Sequence, residues 1–308
     1  VDPKQLHIDA ALTNYAVKMG QGAMAAPRIF PILPVTKESD RYYVFGDEHI
    51  SDDVLMPAAA GTPAGNVEWS KTSGFYSANE YKLKHLIPQR TIDNADPAAN
   101  PQTRTTEVLR GKVMLAYERR VAALALDQNQ YDAANKNAQG AAWSSGTTIE
   151  ADIDKAREAV LMSCGYEANT IVIPPAVAKF AKRNPTLRAL IQYTHSDLLV
   201  NGDLPPRIFN LDVVIPGARQ QTANPGQTAA YSRAWGTATV LVAYVDPGAS
   251  TESATLGLTW RVSSYGQSGE RVRRWYDPEV DGWYIEYGML QTEAIVSKLC
   301  GALIHTIT

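Results

Sequence analysis

Apolar and polar positions follow different periods along this chain, and each change of period marks a new kind of structure. The first hundred residues carry Pro27, Pro31, Pro34, Pro57, Pro63, Pro88 and Pro97, so no long amphipathic helix fits there. A short helix is predicted over residues 5–19, with Leu6, Ala10, Thr13 and Val17 on one side and Gly20 and Gly22 ending it. An extended run to Pro34 follows. Residues 40–88 predict a long, irregular hairpin. RYYVFG is strand-like, MPAAAGTPAGN is a loop of small residues, and the return limb alternates at Tyr81, Leu83, His85 and Ile87. Tyr42, Tyr43, Phe45, Trp69, Phe75 and Tyr76 make this stretch too apolar for a disordered tail. An isolated hairpin is marginal in water. The arm and ribbon therefore need a surface to pack on, and other copies of the chain would supply one.

Beyond a polar linker at 89–99 the period becomes helical. Asn100 is placed as an N-cap with Pro101 at the first helical position. Leu109, Val113, Tyr117, Val121 and Ala125 form an i, i+4 row in a helix running to about Gln130, broadened by Val108, Leu115 and Ala122. Such a helix would span about 45 Å, with Gly111 costing about 1 kcal/mol relative to Ala. Thr147 and Glu150 make a capping-box pattern for a second helix. In it Ile153, Ala156, Val160 and Leu161 face one way and Gly165 is the C-cap. Apolar strands at Thr170–Ile173, Val213–Ile215 and Thr239–Val245 alternate with a helix opened by Pro175, a helix over Leu187–Tyr193 and a polar loop at Ala218–Ser232. That third reads as a compact α/β unit. From Leu256 to Thr308 the pattern is all strand. Trp260, Trp275, Trp283 and Tyr287 would stack on a sheet covered by the long helix. No internal repeat is visible, and the fold class is α+β.

Composition changes the picture by exclusion. With 308 residues, 45% hydrophobic and 20% charged, the chain can bury a large core. A net charge of −3 and a pI near 6.0 argue against a dedicated nucleic-acid binder. No apolar run approaches the roughly 18 residues of a membrane span. VDPKQLHIDA has no signal-peptide core, and a start at Val1 admits processing. Cys164 and Cys300 are far apart in sequence and neither lies in a CxxC, so they read as packed thiols in a protein folded in a reducing cytoplasm.

Local motifs carry little chemistry. Gly20-Gln21-Gly22-Ala23-Met24-Ala25 matches GxGxxA, but Pro27 arrives before a helix, so the segment reads as a joint in the arm. Asp277, Glu279, Asp281 and Gly282 imitate a calcium loop, yet its twelfth position is Gly288 and a hairpin turn is the better reading. His7, His49, His85, His195 and His305 are dispersed. No catalytic, cofactor-binding or metal site is expected. Arg271, Arg273 and Arg274 beside Trp275 favour intersubunit salt bridges over contact with nucleic acid. In a strand, residues 271 and 273 share one face while 274 takes the other, and Asp277 and Glu279 follow at once. An enzyme built on residues 150–250 would need convergent titratable groups, and the sequence supplies none.

Three strings then reach a family: GYEANTIVIPPAVAKFAKRNPTLRALIQYT, WGTATVLVAYVDP and RVRRWYDPEVDGWYIEYGMLQTEAIVSKLCGALI. Following an arm, a hairpin and a long helix, they resemble the major capsid proteins of tailed double-stranded DNA bacteriophages, the Hong Kong 97-type fold. The resemblance implies an arm over 1–38, an extended loop over 39–90, and a peripheral domain over 91–149 and 251–308. It implies an axial domain over 150–250. It also implies a subunit that assembles into hexamers and pentamers of an icosahedral shell around double-stranded DNA. The partners it implies are further copies of the chain, portal and scaffolding proteins, and packaged DNA contacted non-specifically. It leaves a decoration protein open and involves no membrane. The place of assembly would be the bacterial host cytoplasm and the destination the virion capsid. Some members weld neighbours by a Lys–Asn isopeptide bond. Lys71, Lys82 and Lys84 lie in the implied loop but read as solvated or ion-paired lysines. The alternative is an encapsulin-like bacterial nanocompartment shell enclosing cargo enzymes.

Overall fold

The computed structural model describes residues 24–45, 71–95, 100–138, 140, 143, 148–191, 204–223, 227–228, 230–248, 250, 253–305 and 307. The helix expected at 5–19, Gly20–Ala23, the small-residue loop of the ribbon, Thr147 and Tyr193 lie outside the described residues. So do His7, His49 and His195. In chain order the first elements are helix α1 (Ala26–Ile29) and strands β1 (Ile32–Val35), β2 (Ser39–Phe45), β3 (Lys71–Ser77) and β4 (Asn79–Pro88). Helices α2 (Gln89–Asp93) and α3 (Pro101–Ala125), strand β5 (Lys136–Ala138), helix α4 (Ile149–Cys164) and strand β6 (Thr170–Val172) follow. Then come helices α5 (Pro175–Ala181) and α6 (Pro185–Ile191) and strands β7 (Arg207–Ile208), β8 (Leu211–Val214), β9 (Arg219–Gln221) and β10 (Tyr231–Arg233). The last strands are β11 (Val240–Ala243), β12 (Gly257–Val262), β13 (Glu270–Asp277), β14 (Gly282–Ile295) and β15 (Gly301–His305).

Helix α3 starts as its sequence dictates. The Asn100 side chain accepts from the backbone N–H of Gln102 at 3.0 Å and of Thr103 at 3.4 Å, with Pro101 beside it. The helix ends with the apolar row at Ala125, sooner than the expected end near Gln130. Leu126 closes it, and Asp127 caps a separate 3₁₀ turn over Gln128–Gln130 by accepting from Asn129 N–H. Its 25 residues span about 37 Å. The row Leu109, Val113, Tyr117, Val121, Ala125 is buried as predicted. Val108 is instead exposed, and the stripe is broadened by Thr106, Arg110, Met114, Glu118 and Ala122. Helix α4 has Thr148 as its N-cap residue, without a side-chain capping bond, and ends on Gly165 in the left-handed conformation.

Two sheets organise the molecule. The first has five strands in which β14 is central. Along one edge β14 pairs with β13 and then β12. Along the other it pairs with β4, from Gly282↔Pro88 to Gln291↔Asn79. Strand β1 adds to β12 in parallel. Helix α3 lies on the face that carries Ile285, Tyr287, Met289, Gln291 and Glu293. The second sheet has six strands in the order β5-β15-β11-β6-β8-β7. Its side chains alternate between two cores. Ile171, Val240, Val242, Ala302 and Ile304 pack with α4 and α5, while Val172, Leu241, Ala243 and Leu303 join the core around α3. Both faces are buried, which is why these strands read as unbroken apolar runs.

Three sequence expectations are corrected here. The return limb of the ribbon is divided at Ala78: β3 pairs with β2, but β4 leaves the ribbon and joins the first sheet. The last strand, GALIH, belongs to the second sheet, antiparallel to β11 and parallel to β5. The polar loop at 218–232 holds a small hairpin, β9 against β10. Each depends on non-local pairing, which local periodicity does not encode.

Candidate assembly surface

The root of the arm is clamped by one carboxylate. Glu118, 0% exposed, accepts the backbone N–H of Ala25 at 2.9 Å and of Ala26 at 3.0 Å, and the Trp235 Nε1–H at 2.7 Å. Pro27 does not prevent a helix. It sits in the first turn of four-residue α1, where a missing N–H costs nothing. The donors at the end of the GxGxxA string are thus used inside the protein. From α1 the chain runs into β1, so the arm root is fixed to α3, to the segment around Trp235 and to the edge of the first sheet.

The root of the ribbon is clamped by aromatics. Trp260 of β12 stacks on Tyr76 at 5.4 Å and 3° and meets Tyr42 at 5.0 Å. Gly74 faces Tyr42 across the hairpin, and a Cβ there would stand 2.3 Å from the Tyr42 ring. Only glycine leaves that ring free to lie toward Trp260. Phe75, on the opposite face of the ribbon, is 65% exposed.

Tyr81, Leu83, His85 and Ile87 share the α3 side of β4, as the alternation implied. Tyr81 lies under the Arg120 guanidinium, 3.7 Å from its ring centroid, and Ile87 is buried. Leu83 and His85 stay open. With Arg104, Val108 and Lys112 of α3 they line a groove of about 400 Å³. Leu83 is 41% and Val108 51% exposed, flanked by the cations Lys84, Arg104 and Lys112.

The opposite face of the first sheet is charged. Arg271 donates to Glu80 at 3.0 Å and to the Tyr265 hydroxyl at 2.7 Å, with Glu286 at 3.9 Å. The acidic partners of Arg271 are therefore Glu80 and Glu286 of its own chain, not Asp277 and Glu279. Asp277 instead accepts from Glu279 N–H in the β13–β14 turn, as the hairpin reading had it. Arg274 faces α3 and donates to Gln102. Lys82 pairs with Glu80, and Lys84 lies 4.6 Å from the Tyr284 ring centroid, so both belong to the sheet rather than to a loop. Burial alone would raise the Glu80 pKa, but hydrogen bonds from Tyr265 and Lys82 and the charge of Arg271 hold it below the ordinary value. A depressed carboxylate adds stability above its unfolded pKa and loses it as pH falls through the folded one. The difference in thermal midpoint between wild type and Glu80→Gln is therefore expected near pH 7 and should close below about pH 4. A gap that does not change with pH would show that the Glu80 charge plays no part.

Among the described residues no cluster of three or more His, Cys, Asp or Glu could hold a metal ion. What the described residues present instead is two anchored roots, one of the arm and one of the ribbon, and a basic-rimmed apolar groove. Residues 76–296 match the family described as phage capsid protein. The chain belongs to that family. It is 28% identical over 277 residues to the major capsid protein of Pseudomonas phage JBD67, covering 86% of this chain and 84% of that one. A phage-related protein of Bordetella bronchiseptica RB50 has the same fold at TM-score 0.71 and 21% identity, over 98% of both chains. The capsid structure of cyanophage P-SCSP1u gives 0.62 at 10% identity, over 90% of this chain and 86% of that one. The encapsulin of Synechococcus elongatus is a weaker neighbour, 0.54 at 12% identity, over 97% and 95%. The architecture is the Hong Kong 97-type fold. This phage capsid protein is a structural subunit of the virion shell, which argues against the enzyme reading of residues 150–250. Sequence reasoning missed Glu118, Trp235 and the buried charges of α3, whose outward signal was only polar residues beside an apolar row.

Proposed function

We propose that copies of this capsid protein tile into hexamers and pentamers of an icosahedral shell enclosing double-stranded DNA, with arm and ribbon gripping neighbouring subunits. The observation that carries this reading is the pairing of rigid roots with unsatisfied apolar surface. Tyr42, Tyr76 and Trp260 fix the base of a ribbon whose Phe75 is exposed, and the groove at Leu83 and Val108 is open. The groove suits residues 46–56 of a neighbour, GDEHISDDVLM carrying four acidic residues ahead of the apolar Val54, Leu55 and Met56. In this reading the first sheet and α3 form the peripheral domain, now including β4. The second sheet with α4 to α6 forms the axial domain, now including β5 and β15. Assembly takes place in the host cytoplasm with portal and scaffolding proteins, and contact with DNA is non-specific.

Leu83→Asp with Val108→Asp tests it. Both side chains are exposed, so folding stability should change by less than about 0.5 kcal/mol per site. Particles seen by electron microscopy should be lost. Shells of normal yield and shape from the double variant would sink the groove as an intersubunit contact. The contents of wild-type particles separate this reading from a nanocompartment: DNA and a portal support it, a folded enzyme cargo refutes it.

A further inference from the structure

Cys164 and Cys300, distant in sequence, meet in space. Cys164 closes α4, and Cys300 ends the 3₁₀ turn Lys298–Cys300 through which the chain crosses from β14 in the first sheet to β15 in the second. The residues just before them are joined directly, the Ser163 hydroxyl donating to Leu299 O at 2.7 Å. Cys164 packs against the core that buries Cys300, its thiol donating to Tyr166 O at 3.6 Å, and both cysteines are free. Cys300 is wholly buried, while Cys164 is only half-buried. The neighbouring Cys300 thiol lowers the Cys164 pKa below the ordinary thiol value, which favours the nucleophilic thiolate there.

We propose that Cys164 and Cys300 are an internal dithiol that a low-molecular-weight disulfide oxidises to a single bond, stapling α4 to the crossover between the two sheets. The Cys164 thiolate attacks one sulfur of the oxidant, forming a mixed disulfide and releasing the first thiol. The Cys300 sulfur then attacks Cys164 Sγ, its proton leaving with the second thiol. Two protein thiols are oxidised and one small disulfide is reduced to two thiols. The asymmetry of burial sets the order: Cys164 is the entry point and Cys300 the resolving group. A reducing cytoplasm keeps the pair open, and release into an oxidising medium closes it.

The test uses the full-length protein incubated with oxidised glutathione, followed by intact mass and non-reducing peptide mapping. Wild type should lose two hydrogens, and the peptides holding Cys164 and Cys300 should be linked. Cys300→Ser should stop at a single glutathione adduct on Cys164, and Cys164→Ser should stay unmodified. Closing so long a loop should raise the thermal midpoint of wild type by about 5–10 °C and leave both variants unmoved. A stable adduct on wild-type Cys164, a link between two chains, no reaction, or a link that leaves the midpoint unchanged would each overturn the staple.

Discussion

Glu118→Ala is expected to destabilise the protein by about 3–5 kcal/mol, because it strands the buried donors that this carboxylate satisfies. The Ala25 and Ala26 N–H groups and the Trp235 indole N–H converge on its two oxygens at 2.7–3.0 Å. Each orphaned buried donor costs about 1–3 kcal/mol, and partial relaxation keeps the sum below the maximum. Glu118→Gln should cost less, since one amide oxygen still accepts, but its NH₂ now faces an N–H. Denaturant midpoints at constant slope measure both. Limited proteolysis adds a readout specific to the arm: the variant should be cut near Ala25–Phe30 under conditions where wild type is not. A cost under about 1 kcal/mol for the alanine variant would mean that the clamp does not hold the arm.

How far the sequence reveals this fold depends on whether the information is local. The Asn100 cap, the Gly165 terminus and the buried row of α3 rest on neighbours within a turn or two, and all are as read. The partition of β4 and β15 rests on distant partners, β14 about 200 residues from β4 and β11 about 60 residues from β15, and nothing in either strand names its partner. No Gly or Pro marks the break at Ala78, so the ribbon and β4 read as one limb. GALIH did carry a usable signal. An unbroken apolar run fits a strand buried on both faces, which the second sheet offers and a half-covered sheet does not. The charged residues of α3 were hidden for the opposite reason. Arg110 and Glu118 sit on the row Thr106, Arg110, Met114, Glu118, Ala122, beside the apolar one, and a polar residue there is ordinarily assigned to solvent. Their partners, Glu270, Ala25, Ala26 and Trp235, come from distant parts of the chain.

Glu270→Ala is expected to cost about as much as loss of the arm clamp, roughly 3–5 kcal/mol, because it removes the carboxylate that compensates the buried Arg261 guanidinium. Glu270 accepts from Arg110 Nε at 3.3 Å, Arg261 Nη1 at 3.1 Å and the Tyr287 hydroxyl at 2.6 Å, and its side chain is 7% exposed. Arg261 also donates through Nε to Gln291 Oε1 at 2.9 Å. Taking these groups out of water offsets most of their mutual attraction, so the network adds little net stability while making any single deletion severe. Replacing Arg110 and Arg261 by Met, Glu270 by Leu and Tyr287 by Phe together should therefore cost less than Glu270→Ala alone, even with the Gln291 oxygen left unpaired. Urea unfolding of the two variants side by side decides it. If the fourfold variant proves the less stable, the charges hold α3 on the sheet by their own attraction. If the ordering is as expected, apolar packing along Leu109, Val113, Tyr117 and Val121 supplies the adhesion, and the buried charges fix which way the helix faces.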